Sequence, residues 1–146
     1  RARITIRTIM GNVTTSLRIS SADVLSTSVD INIIANLNAD SGTLSRAKVV
    51  KTAVDANALE VYTVNDKSES AYLYLRNLES EKESYVTIYN VTTSNAHVAK
   101  VGGGEFCFIP VEVANGYRVF GTRVDSMVEF AVFGLDSSAA GPFNQS

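Results

Sequence analysis

The sequence has no tryptophan, one cysteine, one histidine and two prolines in 146 residues. The single cysteine, Cys107, excludes an internal disulfide, and its position between two phenylalanines predicts a buried small side chain rather than a nucleophile. A zinc site requires three or four ligands, drawn mostly from cysteine and histidine, and this chain has one of each. We therefore predict no metal and no cofactor.

The scarcity of histidine also counts against catalysis. An activated serine needs a neighbouring base, yet His97 lies in a strand-like segment and no serine stands in a G-x-S-x-G motif. Acidic residues such as Glu105 and Glu129 are present, but the sequence places no two of them at the separation that glycoside hydrolysis requires. We predict that the protein is not an enzyme. An all-β enzyme built on such an acidic pair is an alternative to this prediction.

Charge of one sign is not in excess, since Lys and Arg number 13, Asp and Glu number 15, and the net charge is −2. Without a basic surplus we expect no nucleic-acid partner. No apolar run approaches the roughly 18 residues of a membrane helix, so we expect no membrane partner. The run Gly102-Gly103-Gly104 precedes a strand-like segment rather than a helix, which predicts a tight turn with positive φ instead of a phosphate loop.

Short segments that alternate apolar and polar residues dominate the sequence, at a spacing of roughly 10 residues with turn signals between them. This pattern predicts an all-β fold, namely an antiparallel β-sandwich or jelly-roll-like barrel of about ten short strands. We assign residues 1–135 to a single all-β domain. Residues 136–146 lack periodicity and are predicted to be a C-terminal arm or tail.

Several connections are predicted from local chemistry. Gly11-Asn12 is expected to turn the chain after a first strand at 3–9, and Ser and Asp residues in 20–25 are expected to cap a short helical turn. The alternating segment 27–37 is predicted to pair with the strand that follows it in a long hairpin. The polar segment 79–84 is predicted to be an exposed hairpin tip.

Aromatic and basic side chains are the candidate binding residues. Four tyrosines are predicted to form a possible ligand face, with cross-strand packing as the alternative use for them: Tyr72, Tyr74, Tyr85 and Tyr89. Candidate subunit contacts lie at both ends of the chain, because flexible ends can order on binding. They are Arg1, Arg3, Arg7, Pro142 and Phe143.

Three segments of the second half form a recognisable series: YLYLRNLESEKESYVTIYN, VAKVGGGEFCFIPV and MVEFAVFG, with Gly104-Glu105-Phe106 as a glycine-acid-aromatic turn. In this series the chain resembles small virion structural proteins of tailed bacteriophages. The resemblance implies a capsid decoration, cement or fibre-type protein that binds other virion proteins, such as the major capsid protein. It also implies a homo-oligomer, with a trimer favoured, that assembles in the host bacterial cytoplasm and is located in the virion.

The alternative function is a carbohydrate- or receptor-binding β-sandwich module. In that hypothesis the exposed tyrosines supply flat apolar surfaces for a sugar ring, and Asn and Asp side chains in loops supply hydrogen bonds.

Overall fold

The structure of the protein is a computed structural model that describes residues 11–24, 26–39, 41–51, 58–63, 68–121 and 125–136. These residues contain ten β-strands and no helix, which confirms the predicted all-β fold. The strands are β1 Gly11–Ser21, β2 Val29–Ala39, β3 Ser41–Val49, β4 Leu59–Tyr62, β5 Ser68–Asn77, β6 Val86–Asn90, β7 Ala96–Val101, β8 Phe106–Val111, β9 Tyr117–Gly121 and β10 Ser126–Asp136. The predicted strand at 3–9 lies outside the described residues, as does the predicted tail at 136–146 except for Asp136, which is the last residue of β10.

Strands β3 to β10 form two four-stranded antiparallel sheets. Their strand orders are β3-β10-β5-β8 and β4-β9-β6-β7. The pairing is nested, because β3 pairs with β10, β4 with β9, β5 with β8 and β6 with β7. Nested antiparallel pairing of eight strands in two facing sheets is the arrangement of a jelly roll. The predicted sandwich or jelly-roll-like architecture is therefore confirmed.

The core of the protein lies between these two sheets. Strand β5 shows how alternation builds it: Ala71, Leu73 and Leu75 point inward and are at most 2% exposed, while Tyr72 and Tyr74 between them are half-buried on the outer side. The other sheet supplies fully buried partners such as Ile88 and Val119. Burial of these aliphatic side chains is the main favourable contribution to folding.

Asn77, the last residue of β5, is a fully buried polar side chain that joins the two sheets. Its Nδ2 donates hydrogen bonds to the carbonyl oxygen of Ser84 and, at 3.1 Å, to that of Val101 at the end of β7. Its Oδ1 accepts a hydrogen bond from the backbone N–H of Glu79 at 3.1 Å. Because β5 and β7 belong to different sheets, these bonds hold one sheet against the other.

The Gly102-Gly103-Gly104 segment lies against the loop that follows β5. A Cβ on Gly103 would overlap the carbonyl oxygen of Glu81. A Cβ on Gly102 would lie only 2.7 Å from the carbonyl oxygen of Lys82. These two glycines are therefore required for close backbone approach. Only Gly104 of the three has a positive φ, at 81°. The predicted reason for the glycines thus applies to one of them.

Strands β1 and β2 form a separate two-stranded sheet, antiparallel over their full length. The prediction that Gly11-Asn12 turns the chain is wrong, because both residues lie in β1. The predicted pairing of 27–37 with the following strand is also wrong, because β2 pairs with β1 while β3 pairs with β10. Alternation specifies which face of a strand is apolar, but it does not select the partner strand.

Two predicted connections also differ. The segment 79–84 is not a hairpin tip, because it joins β5 of one sheet to β6 of the other and these strands do not pair. No helical turn forms at residues 20–24, which end β1 and begin the connection to β2. The Oγ of Ser21 does accept a hydrogen bond from the backbone N–H of Val24 at 3.1 Å, so the expected side-chain bond is present without a helix.

Candidate functional site

The hairpin of β1 and β2 has one apolar face and one polar face. Directly opposite residues of an antiparallel pair share a face; Leu17 lies opposite Ile33, and Ile19 lies opposite Ile31. Alternation places the flanking apolar positions on the same side. We call this surface the hairpin apolar face, and its apolar members are Val13, Leu17, Ile19, Val29, Ile31, Ile33, Ala35 and Leu37.

Much of the hairpin apolar face is open to solvent. The side chains of its middle and tip, Leu17, Ile19, Ile31 and Ile33, are 44%, 46%, 40% and 53% exposed. Ala39, at the end of β2 next to the jelly roll, is 7% exposed, and β2 also contacts β10. The hairpin is therefore attached to the jelly roll at its base and exposes its apolar face away from that attachment.

The opposite face of the hairpin is polar, and its groups bond to one another. Arg18 and Asp30 form an ion pair at 3.5 Å, and the Thr14 hydroxyl donates a hydrogen bond to the Oδ1 of Asn36 at 2.9 Å. Ile34, which is 67% exposed, is the apolar exception on this side. The polar face suits contact with water, so the apolar face is the one that a partner would cover.

A second exposed surface lies on the outer side of the β3-β10-β5-β8 sheet. Tyr72 stacks on Phe108, with ring centroids 5.9 Å apart and 4° between the ring planes. Tyr74 lies opposite Phe108, and Arg76 lies opposite Phe106, which is 63% exposed. We call these five residues the outer aromatic face. An open depression of about 340 Å³ within it is lined by Tyr74, Arg76, Gly104 and Phe106.

Glu129 on β10 forms the polar centre next to the outer aromatic face. Its Oε1 accepts a hydrogen bond from the Tyr74 hydroxyl at 3.0 Å, and its Oε2 accepts one from the Nε of Arg46 at 3.1 Å. These two hydrogen bonds lower the pKa of Glu129, and the bond from Tyr74 has the larger effect. The pKa of Tyr74 is raised, first by burial and then by its hydrogen bond to Glu129. A charged carboxylate beside a neutral hydroxyl suits recognition of polar groups, whereas general acid–base catalysis favours a pKa near the working pH.

The residues considered for catalysis have structural contacts. The Oε1 of Glu105 accepts a hydrogen bond from the backbone N–H of Gly102 at 2.7 Å, across the glycine turn. Burial raises the pKa of the Cys107 thiol, which favours its neutral form. The ring of His97 packs 5.7 Å from that of Phe120. The structure therefore gives each of these side chains a role in packing or in turn formation.

The four tyrosines predicted to share a ligand face are not brought together. Tyr72 and Tyr74 lie on the outer aromatic face. Tyr85 precedes β6 of the other sheet, and the Nζ of Lys100 lies 4.0 Å from its ring centroid. Tyr89, within β6, is 0% exposed. Tyr72 and Tyr74 thus lie on one sheet, while Tyr85 and Tyr89 lie beside and within a strand of the other, a separation that sequence spacing does not show.

The predicted subunit contacts Arg1, Arg3, Arg7, Pro142 and Phe143 all lie outside the described residues. Arg76 and Phe106 also belong to an exposed face, and neither is among the site residues predicted from the sequence. Arg76 continues the alternating row of Tyr72 and Tyr74, so a period-two signal for it was present. Phe106 gave no such signal, because its position beside Arg76 depends on the pairing of β5 with β8.

Within the part of the chain that the structure describes, no group of three or more His, Cys, Asp or Glu side chains is placed to hold a metal ion. The same residues contain no helix with the length and apolar character needed to cross a membrane.

Comparison with known proteins gives a distant structural match. No protein-family model matches the chain, and no curated protein matches it. The chain is similar to a chain in a solved structure of Bacillus endospore appendages, which form a family of disulfide-linked pili. The two share 13% sequence identity with a TM-score of 0.42, and the match covers 66% of this chain and 88% of the other. These comparisons assign the chain to no family.

Proposed function

We propose that the protein is a non-enzymatic structural protein of a virion, which binds neighbouring subunits as a capsid decoration or cement protein. The observation that supports this proposal is the hairpin apolar face. The jelly roll has a buried core of its own, yet the chain holds a further strip of Leu and Ile side chains at 40–53% exposure outside that core. Exposed apolar strips bordered by polar residues are typical of protein interaction sites.

In this proposal the partners are other virion proteins, such as the major capsid protein, and further copies of the chain, with a trimer favoured. The resemblance to virion structural proteins of tailed bacteriophages supports the location in the virion and the assembly in a bacterial cytoplasm. Many copies on one particle act together, so contacts that are weak one by one still hold the shell. Binding requires neither nucleic acid nor membrane.

The location of the protein on particles tests the proposal. Particles from the source culture are purified, labelled with an antibody against the protein and viewed by electron microscopy. We expect regular label on the particle surface and a constant ratio of this protein to the major capsid protein in mass spectrometry of several preparations. Recovery of the protein solely from the particle-free fraction would contradict the proposal.

The outer aromatic face favours a second candidate function, a carbohydrate- or receptor-binding module. Tyr74 and Phe106 provide flat apolar surfaces around an open depression, and Arg76 provides hydrogen-bond donors at its edge. Small-molecule sites combine these two kinds of group. Since guanidinium groups bind carboxylates, the chemistry fits an acidic sugar better than a neutral one.

A glycan array that includes uronic and sialic acids tests this second candidate. If an array glycan binds, we expect Phe106→Ala to weaken its binding by about tenfold, the equivalent of one aromatic contact. Val98→Ala is the matched control, because Val98 is 45% exposed and lies on β7 of the other sheet. No binding to any glycan, or equal loss in both variants, would argue for the virion structural function alone.

A further inference from the structure

We propose that the partner of the hairpin apolar face is the same face on another copy of this chain, packed face to face around a symmetry axis. The inference rests on the proposed function only in taking this face as a subunit contact. It names the occupant of the face, which the proposed function leaves open between capsid protein and a further copy.

The shape of the hairpin favours an equally long and flat partner. Strands β1 and β2 have 11 residues each and pair without a register shift. At about 3.4 Å per residue the strip is roughly 35 Å long. An isolated two-stranded hairpin is marginally stable in water, and a second layer about 10 Å away gives it a core. A second copy of the hairpin has the length and flatness that this layer requires.

The chemistry of the face also favours a copy of itself. Every apolar member is Ala, Val, Leu or Ile, and Thr15, which shares the face, donates its hydroxyl to the carbonyl oxygen of Ala35 at 3.2 Å. The charged residues of the two strands, Arg18 and Asp30, lie on the opposite face and pair with each other at 3.5 Å. Face-to-face packing therefore brings no like charges together and leaves no charge without a partner.

The area of the strip indicates how strong the contact is. A two-stranded ribbon about 35 Å long and 10 Å wide offers roughly 350 Å² to a partner. A stable standard interface uses about 800 Å² per partner, so the hairpin contact gives a reversible oligomer whose population depends on protein concentration. On a particle, neighbouring copies are held close together, which raises their effective concentration and favours the contact.

Neighbouring isoleucines on opposite faces provide a sharp test. Ile33 is on the hairpin apolar face and is 53% exposed, while Ile34 is on the polar face and is 67% exposed. The variants Ile33→Asp and Ile34→Asp introduce the same charge one residue apart. Light scattering and sedimentation velocity then measure the mass of the native chain and of both variants over a wide range of concentration.

We expect the native chain to shift with concentration from one chain to two, because the same face packed on itself closes with a two-fold axis. Ile33→Asp should raise the dissociation constant by about 100-fold or more, since an unpaired carboxylate would be buried in an apolar contact. Ile34→Asp should associate like the native chain. A second pair, Leu17→Asp with Ser16→Asp as its control, repeats the comparison on β1. Circular dichroism should show the same folded spectrum for all of them, because none of these side chains belongs to the jelly-roll core.

A native chain that stays a single chain at every concentration would overturn the inference. Equal dissociation by Ile33→Asp and Ile34→Asp, or an unchanged oligomer in Ile33→Asp, would also overturn it and assign the contact to another surface. Failure here is distinguishable from failure of the proposed function. A single-chain protein that still labels the particle surface keeps the virion structural role and loses only the contact between hairpins.

Discussion

The hairpin of β1 and β2 and the jelly roll of β3 to β10 use the same sequence pattern with opposite results. In the jelly roll, the inward residues of β5 and β6 are covered by the facing sheet, and Leu73 and Ile88 are 0% exposed. In the hairpin, residues of the same kind face no other sheet among the described residues, and Ile33 remains 53% exposed. The comparison shows that alternation specifies an apolar face but does not supply the layer that covers it.

The largest expected effect is the difference in unfolding free energy that is lost when a leucine is shortened to alanine in each of the two regions. Leu73→Ala should lower the free energy of unfolding by about 2–5 kcal/mol, because it leaves a cavity between two packed sheets. Leu17→Ala should change it by less than about 0.5 kcal/mol in the single chain, because Leu17 is 44% exposed. Urea titrations followed by circular dichroism, at a concentration where single chains predominate, provide the measurement. Equal costs would mean that the hairpin is as well covered as the core.

A smaller effect contrasts a buried amide with an exposed one. Asn77→Ala should cost about 1–3 kcal/mol, because it leaves the carbonyl oxygens of Ser84 and Val101 without their donor. Asn36→Ala is the matched control on the hairpin, where the lost hydrogen bond is exposed and water replaces it. The same urea titrations measure both. If Asn77→Ala were as stable as Asn36→Ala, Asn77 would not hold the two sheets together.

The smallest effect concerns the polar centre on the outer side of the jelly roll. Bonds from Tyr74 and Arg46 lower the pKa of Glu129 in the folded protein below the ordinary value of 4.5. A lowered folded-state pKa contributes stability above that ordinary value, and the contribution is lost as pH falls through the folded-state pKa. The urea midpoints of the native chain and Glu129→Gln should therefore differ at neutral pH and converge in acid.

Leu73→Ala serves as the control for this pH series. It changes no ionisable group, so its difference from the native chain should persist over the same pH range. A Glu129→Gln difference that stays constant down to strong acid would contradict the assignment of the lowered pKa to the bonds from Tyr74 and Arg46.

Sequence reasoning located the strands of the second half closely. The alternation of apolar and polar residues predicts strands at 85–90, 97–101 and 105–111, and these segments differ from β6, β7 and β8 by a single residue at their starts. It failed where a feature depends on distant pairing, as in the partner of β3, which is β10 rather than β2. Tyr89 is one of the four tyrosines predicted to form a ligand face, yet it is 0% exposed.

Local pattern therefore establishes that this chain is all-β, roughly where its strands run and which side of each strand is apolar. Those properties depend on residues a few positions apart, and steric and solvation preferences act at that range. The partners of β3, β4 and β5, the bridging role of Asn77 and the exposure of the hairpin apolar face depend on contacts between residues far apart in the chain. Such contacts form when the sheets pack, so the three-dimensional fold is needed to separate the covered apolar faces from the open one.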